Sequence, residues 1–504
     1  MSVPAGTTHD SKGSDARDAA GADAAVWKAK LQVHAGRETS QSLSGGERER
    51  SASAVVCSEG LGVTSSGVGE GLRSGKGIAG EVVPAVLEEG RGSGVVAVLR
   101  RILAYARKVL AWEDALDGVR DSRRRGRIPT RLIVRSMVVM FLSRLGSLHG
   151  LSQTRGSRFW RGWLPGEMAS ADTCGRVAAC LNVDELRSLG RAVYTQLKRN
   201  KALPAPWHGM IAAVLDGHET HASYRRHCPD CLQRRIKNKD GERIQYYHRL
   251  VVLQLVGEKW SLMLDAEPVR PGEDEVTTAM RLLDRVLAAY PRAFDVVLGD
   301  SLYAQGPFFN YVLAKGKHVM AVLKDERRDI LKDVRSLCDQ ITPIEVEWHG
   351  ARCQCWDIED LRTWEQVSAP VRVIRSLETR SVRRQLTRET EQQTNEWVWA
   401  TTLPKARIST RAGVALGHSR WTIENEGFNE MVNRWHADHV YRHHGTAILA
   451  MWLLAMICLN VFFAFYRRNL KPAARAAATM LHIARKIVAE LYSSIPAPRS
   501  RALT

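Results

Sequence analysis

The sequence predicts an α/β protein: a mixed sheet with flanking helices, entered through an all-helical region and interrupted by a β-rich stretch. Three observations predict this. Apolar runs of strand length, GMIAAVLD (209–216), HRLVVLQLV, WSLMLDAEPV, FDVVLGD (294–300) and KHVMAVLK, alternate with helical segments such as EDEVTTAMRLLDRVLAAY and QGPFFNYVLAKG. Near-continuous apolar strands belong to sheets covered by helices on at least one face. Apolar residues also recur at helical spacing before residue 206 and again after 404. Between these, VEWHGARCQCWDIEDL, PVRVIRSL and NEWVWATTL read as strands joined by polar linkers.

Taken in order, residues 1–95 are rich in Gly, Ser and Ala and nearly free of aromatics. Such a segment buries too little apolar surface to offset its ordering entropy, so a disordered leader is expected, with an overcalled start of translation as the alternative. Residues 96–205 form the helical region, through VVAVLRRILAYARKVLAWEDAL, RLIVRSMVVMFLSRLGSL and VDELRSLGRAVYTQLKR, with Pro129 near a helix start. The α/β core follows at 206–338, the β-rich insertion at 339–403, the last core helices at 404–466 and a basic tail at 467–504. That tail holds eight Lys or Arg and one Glu.

The 504 residues are 44% hydrophobic and 25% charged, which suits a globular protein of several domains. Lys and Arg number 73 against 54 Asp and Glu, a net charge of +19 that points to a polyanionic partner, nucleic acid before anionic membrane. An odd nine cysteines argue against a secreted disulfide scaffold, and the polar opening residues lack a signal-peptide core. A cytoplasmic setting is expected. The apolar stretch from Ala447 to Tyr466 has the length of a bilayer span, roughly 30 Å at 1.5 Å per residue. A helix buried in the α/β core is the reading preferred here, because a lone late span would leave the sheet without cover.

Asp216 and Asp300 each end an apolar run. Ligand-binding groups in open α/β sheets gather beyond the carboxyl ends of the strands. Two carboxylates side by side repel, and a divalent cation between them relieves the repulsion and activates water for phosphoryl transfer. Taken singly, either Asp reads more readily as a turn residue or a helix N-cap than as a ligand. Glu424 completes a carboxylate triad: Ile423, Gly427 and Phe428 can pack its helix on the sheet while Glu424 faces the edge. Arg420, four residues earlier, shares its helical face, as an ordinary ion pair or as a phosphate contact.

These residues carry a resemblance. DGHET (216–220), GDSLYAQGPF (299–308) and RWTIENEGFN (420–429) resemble the three acidic motifs of bacterial insertion-sequence transposases of the DDE class, across roughly residues 130–466. The resemblance implies an RNase H-like core in which Asp216, Asp300 and Glu424 hold two Mg²⁺. It implies in-line attack on DNA phosphodiesters, first by water and then by the freed 3′-hydroxyl. Its implied partners are double-stranded transposon ends and target DNA, in a homodimer that pairs two ends on the bacterial nucleoid, with no membrane. The best-described subgroup has a Tyr three residues before the Arg and a Lys seven after the Glu; here those positions are Gly417 and Met431.

Cys228 and Cys231 form a C-x-x-C flanked by His218, His221, His227 and His248. One tetrahedral Zn²⁺ on Cys228, Cys231, His218 and His248 is one reading and two free cysteines in a loop is another, while a thioredoxin-like redox pair lacks its βαβ context. Cys353 and Cys355 share one strand face and are read as packing residues. The histidines of HADHVYRHHG (436–445) are read as solvated or DNA-facing. Trp356, Trp364, Trp397 and Trp399 are read mainly as the core of the insertion. Arg123, Arg124 and Arg125, with Arg420 and Arg434, are the candidate DNA-backbone contacts, in competition with a solvated charged face.

Two functional classes follow. The first is an active DNA transposase. The second is a catalytically inactive DNA-binding relative, decayed or domesticated, which the Gly417 and Met431 positions permit and the three intact acids disfavour. A membrane-anchored nuclease is the weaker third.

Overall fold

The computed structural model describes residues 97–493, apart from 204, 239–240, 258–260, 325–327 and 384–387. The expected leader and the end of the basic tail lie outside the described residues. Seven helices come first: α1 (Val98–Leu110), α2 (Glu113–Asp117), α3 (Thr130–Leu142), α4 (Leu148–Gln153), α5 (Phe159–Trp163), α6 (Ala171–Ala178) and α7 (Val183–Arg199). The α/β part follows as β1 (Ala212–Ser223), β2 (Leu232–Asn238), β3 (Gly241–Val256), β4 (Leu262–Pro268), α8 (Glu275–Ala289), β5 (Val296–Gly299), α9 (Gly306–Ala314), β6 (His318–Val322) and α10 (Asp329–Cys338). Four strands come next: β7 (Ile344–Trp348), β8 (Ala351–Leu361), β9 (Val371–Arg383) and β10 (Thr390–Thr401). The chain closes with α11 (Thr410–Ser419), α12 (Asn429–Trp435), α13 (Gly445–Ala464), α14 (Pro472–Ala477) and α15 (Met480–Ser493).

Helix boundaries follow local chemistry. Asn182 caps α7 by accepting from the Asp184 and Glu185 amides, and Lys198 and Arg199 sit at its negative end. Asp274 caps α8 by accepting from Thr277 N at 2.7 Å. That cap fixes where Glu275 stands, which matters for the site below.

The described strands form one ten-stranded sheet, ordered β2-β3-β1-β5-β6-β10-β9-β8-β7, with β4 paired to β3. β3 pairs antiparallel with β1 and β4, whereas β1–β5 and β5–β6 are parallel. The resulting order β4-β3-β1-β5-β6, three antiparallel strands followed by two parallel ones, is an RNase H-like core. The β-rich stretch is not a separate body. β10 pairs antiparallel with β6, register Trp399↔Val322, so the four late strands continue the sheet past an edge that would otherwise be bare.

The helical region is not separate either, since every described residue falls within one compact unit. Helices α3 and α7 pack on α13, and α1 packs on α15. Arg187 of α7 and Arg281 and Arg285 of α8 meet Asp265 and Glu267 of β4, with Arg187 Nη2 3.0 Å from Glu267 and Arg285 Nε 2.8 Å from Asp265. Buried acids persist only when paired in this way.

Helix α13 is the centre of the fold. It and the turn after it are long and apolar enough to cross a bilayer, yet the helix is buried inside the protein from Ala447 to Phe462 without a break. It packs on β4, α7 and α3. Its one polar intruder is fully used. Asn460 accepts from Met263 N at 3.2 Å and donates to Met263 O at 2.7 Å. These bonds satisfy the outer edge of β4, which has no strand neighbour among the described residues.

Asn460→Leu is therefore expected to destabilise the protein. It leaves a buried amide and carbonyl of β4 unpaired, a loss of about 1–3 kcal/mol. Urea unfolding reads the change directly, and an unaltered midpoint would show that Asn460 has no such role.

Candidate active site

Strands β1 and β5 bring the first two acids together. Their parallel pairing ends at Val214↔Leu298, and Asp216 and Asp300 stand just beyond it. Asp300 ends its strand as the sequence predicts, and caps a 3₁₀ turn (Ser301–Tyr303) by accepting from Leu302 N at 2.8 Å. Asp216 does not end its strand. β1 continues to Ser223 because β3 keeps pairing with it, Asp216↔Val252 and onward to Ser223↔Tyr246. Asp216 thus leaves the parallel sheet but stays in an antiparallel arm. Its Oδ1 accepts from Gly217 N at 2.8 Å.

The third acid arrives from the far end of the core. The segment after α11 is not a plain helix: Ile423–Phe428 winds as a π-helix before α12 begins. Such wide turns recur at functional sites because they redirect one side chain without breaking the helix. Ile423, Gly427 and Phe428 are buried, and Gly427 lies so close that a Cβ there would be 2.3 Å from Gln254 Oε1. Glu424 is left facing outward, its side chain 46% exposed. Arg420 joins the acids: Nη1 lies 2.8 Å from Glu424 Oε1 and 3.7 Å from Asp216 Oδ2. The Arg420 guanidinium is buried, and its Nε has no hydrogen-bond partner among the described residues.

A fourth carboxylate shares the site. Glu275, in the first turn of α8, receives the Tyr303 hydroxyl at 3.0 Å and lies 3.2 Å from Arg249. It fills the space beside Gly217, where a Cβ would meet Glu275 Oε2 at 2.1 Å. In the sequence Glu275 reads only as part of the helical segment EDEVTTAMRLLDRVLAAY. An open groove of about 550 Å³ runs from Cys231 and Tyr247 past Arg249 to Glu275 and Leu302.

The electrostatics follow from this crowding. Burial pushes the Asp216 carboxyl well above the usual carboxylate range. Arg420 opposes that rise, and Asp300, Glu424 and Glu275 add to it. Burial likewise raises Glu275, with Arg249 opposing and Asp300 adding. Arg249 answers Glu275, which leaves three acids to Arg420 among the described residues. That donor set of hard carboxylate oxygens fits a divalent cation such as Mg²⁺.

The Tyr and Lys positions of the best-described subgroup are structurally closed. A Cβ on Gly417 would stand 2.5 Å from the Trp399 indole, and Met431 is fully buried. Trp399 and Trp364 are core residues and Trp356 and Trp397 pack against the core, as expected.

The Cys/His grouping needs one correction. Cys228, Cys231 and His248 come together, but His218 does not join them; the fourth member is His443. His218 Nε2 instead lies 3.0 Å from Asp438 Oδ1, its ring against Phe428 and Trp452. His443 sits 212 residues from Cys231, so no local spacing could nominate it. Among the basic candidates, Arg124, Arg125 and Arg434 are exposed. Arg123 is committed to its own turn, with Nε and Nη2 each 2.8 Å from Asp121 and Nη2 3.0 Å from Ile128 O. It is not a free phosphate contact.

Residues 223–461 match the family model described as the transposase DDE domain. The match supports a DDE-class transposase and takes in the second and third motifs. The match opens at Ser223, the last residue of β1, so it includes Asp300 and Glu424 and starts just past Asp216. No curated protein matches the chain.

Asp216 gives a pH test. With a folded pKa above the unfolded value of about 3.9, the folded state keeps a proton that the unfolded state has lost. Its contribution to stability is complete below about pH 4 and is lost as pH rises through the folded value. Without added magnesium, Asp216→Asn should therefore melt above the native protein at pH 7, on the order of 2 °C or more, with the gap closing near pH 4. A variant less stable than native at pH 7 would contradict the charge crowding.

Proposed function

We propose that this chain is an active DNA transposase that cuts at transposon ends and joins the 3′-hydroxyl ends to target DNA. The observation that carries the reading is the meeting of Asp216, Asp300 and Glu424 beyond the β1–β5 pair, with Arg420 bridging the first and third. Carboxylates crowded to this degree have little use in a protein that only binds DNA, a polyanion.

In this reading Asp216, Asp300 and Glu424 hold two Mg²⁺. When bound, the ions activate the attacking oxygen and neutralise charge on the scissile phosphate. The chain's own residues do the positioning. Arg420 holds Glu424 in place and keeps a positive charge beside Asp216. Glu275, fixed by Arg249 and Tyr303, keeps the β1 backbone pressed against α8 at Gly217. Arg124, Arg125 and Arg434 take up flanking phosphates, which gives salt-dependent affinity without sequence reading. Two copies pair two ends, on DNA of the bacterial nucleoid.

The test is cleavage and strand transfer on labelled DNA carrying the ends that flank the gene, with and without Mg²⁺. Asp300→Ala should lower both by about three orders of magnitude while DNA binding persists, since a lost metal ligand forfeits several kcal/mol of transition-state stabilisation. If native protein and variant both bind the ends and neither cuts, the inactive DNA-binding relative is the correct description.

A further inference from the structure

We propose that Cys228, Cys231, His248 and His443 form a structural zinc site that fastens the β1–β2 turn to the segment between α12 and α13. The four donor atoms, two sulfurs and two Nε2 nitrogens, all lie within 4.8 Å of one another. Cys228 Sγ is 3.7 Å from Cys231 Sγ. His248 Nε2 is 3.4 Å from Cys228 Sγ and 3.3 Å from Cys231 Sγ, and His443 Nε2 is 3.3 Å from Cys231 Sγ.

These separations are close to the edges of a tetrahedron around one ion. With Zn–S of about 2.3 Å and Zn–N of about 2.0–2.1 Å, sulfur atoms stand ~3.8 Å apart and sulfur–nitrogen pairs ~3.6 Å apart. Hydrogen bonding alone gives no reason for one imidazole nitrogen to reach two sulfurs while one sulfur reaches two imidazoles. A single nitrogen lone pair or N–H serves one partner well. Two thiols and two imidazoles without an ion would also be a poor use of largely buried polar groups, Cys231 and His248 being 4% and 5% exposed. Both cysteines are free rather than joined to each other. The Cys228 amide donates to Cys231 Sγ at 3.2 Å, the kind of outer-shell bond that steadies a thiolate ligand. A soft S₂N₂ tetrahedral set selects zinc over the magnesium of the carboxylate site.

The placement shows what the ion would join. Cys228 and Cys231 lie in the turn that follows β1, the strand of Asp216. His248 lies on β3, paired with Thr220 of β1. His443 lies downstream of the π-turn of Glu424 and just before α13. An ion there would tie the arm of the first acid to the α12–α13 linker downstream of the third, across 212 residues of chain. The packing at the joint is already tight, since a Cβ on Gly445 would stand 2.4 Å from Asp230 Oδ2.

The test is the metal content of the purified full-length chain, read independently of DNA cutting. About one zinc per chain is expected by elemental analysis. Exchange for Co²⁺ should give the intense visible bands of a tetrahedral thiolate site. Cys231→Ser and His443→Ala should lose the ion and His218→Ala should keep it, each in a chain whose circular dichroism is native. Absence of zinc together with absence of cobalt bands overturns the proposal. So does a Cys228–Cys231 disulfide in the native protein, or full zinc retention by His443→Ala.

Discussion

Asp216 and Asp300 meet because β1 and β5 run parallel, and the helices deliver Glu275 and Glu424 to the same end of that strand pair. Arg249 takes up the charge of Glu275, and Arg420 answers only part of the rest. Such crowding is relieved by a proton on Asp216 or by a bound cation, because uncompensated charge out of water is costly. The surroundings follow from that constraint. Gly217 is small because a carboxylate occupies the place of its side chain. Arg420 is buried because the acids need a cation close by. The Asp216 carboxyl is displaced upward because burial and its neighbours both oppose its ionisation.

The rest of the molecule holds that cluster in register. Helix α13 packs on β4, α7 and α3, so the helical region and the sheet share one core. The ion network of Arg187, Arg281 and Arg285 on Asp265 and Glu267 clamps β4 between α7 and α8. On the other side, β10 extends the sheet from β6 and sends Trp399 against α11 at Gly417, which leads into Arg420 and Glu424. The β-rich stretch therefore acts on the site through Trp399, by fixing where α11 ends.

Much of this was legible in the sequence, for identifiable reasons. Apolar runs ending in Asp marked β1 and β5, because buried parallel strands must be apolar and polar groups gather where they end. The pattern Ile423, Gly427, Phe428 showed which face of the third motif packs inward. What escaped notice depends on contacts that no local pattern encodes. The extension of β1 past Asp216 comes from the length of β3. The π-turn at Glu424 alters spacing by a single residue. Glu275 acquires its place from the fold of α8 onto Gly217. His443 joins two cysteines across the whole core, while His218, nearer in sequence, is drawn off by Asp438. Arg123 looked like its neighbours Arg124 and Arg125 until Asp121 was seen to hold it.

The central claim is that Asp216, Asp300 and Glu424 are ligands of one metal centre, and metal-directed cleavage of the polypeptide tests it most directly. Fe²⁺ replaces Mg²⁺ at carboxylate sites, and with peroxide and ascorbate it cuts the backbone close to where it is bound. Cuts clustered near residues 216, 300 and 424, suppressed by excess Mg²⁺ and absent from a variant lacking Asp216, are the predicted result. Cuts confined to other parts of the chain, or unaffected by Mg²⁺, would contradict it.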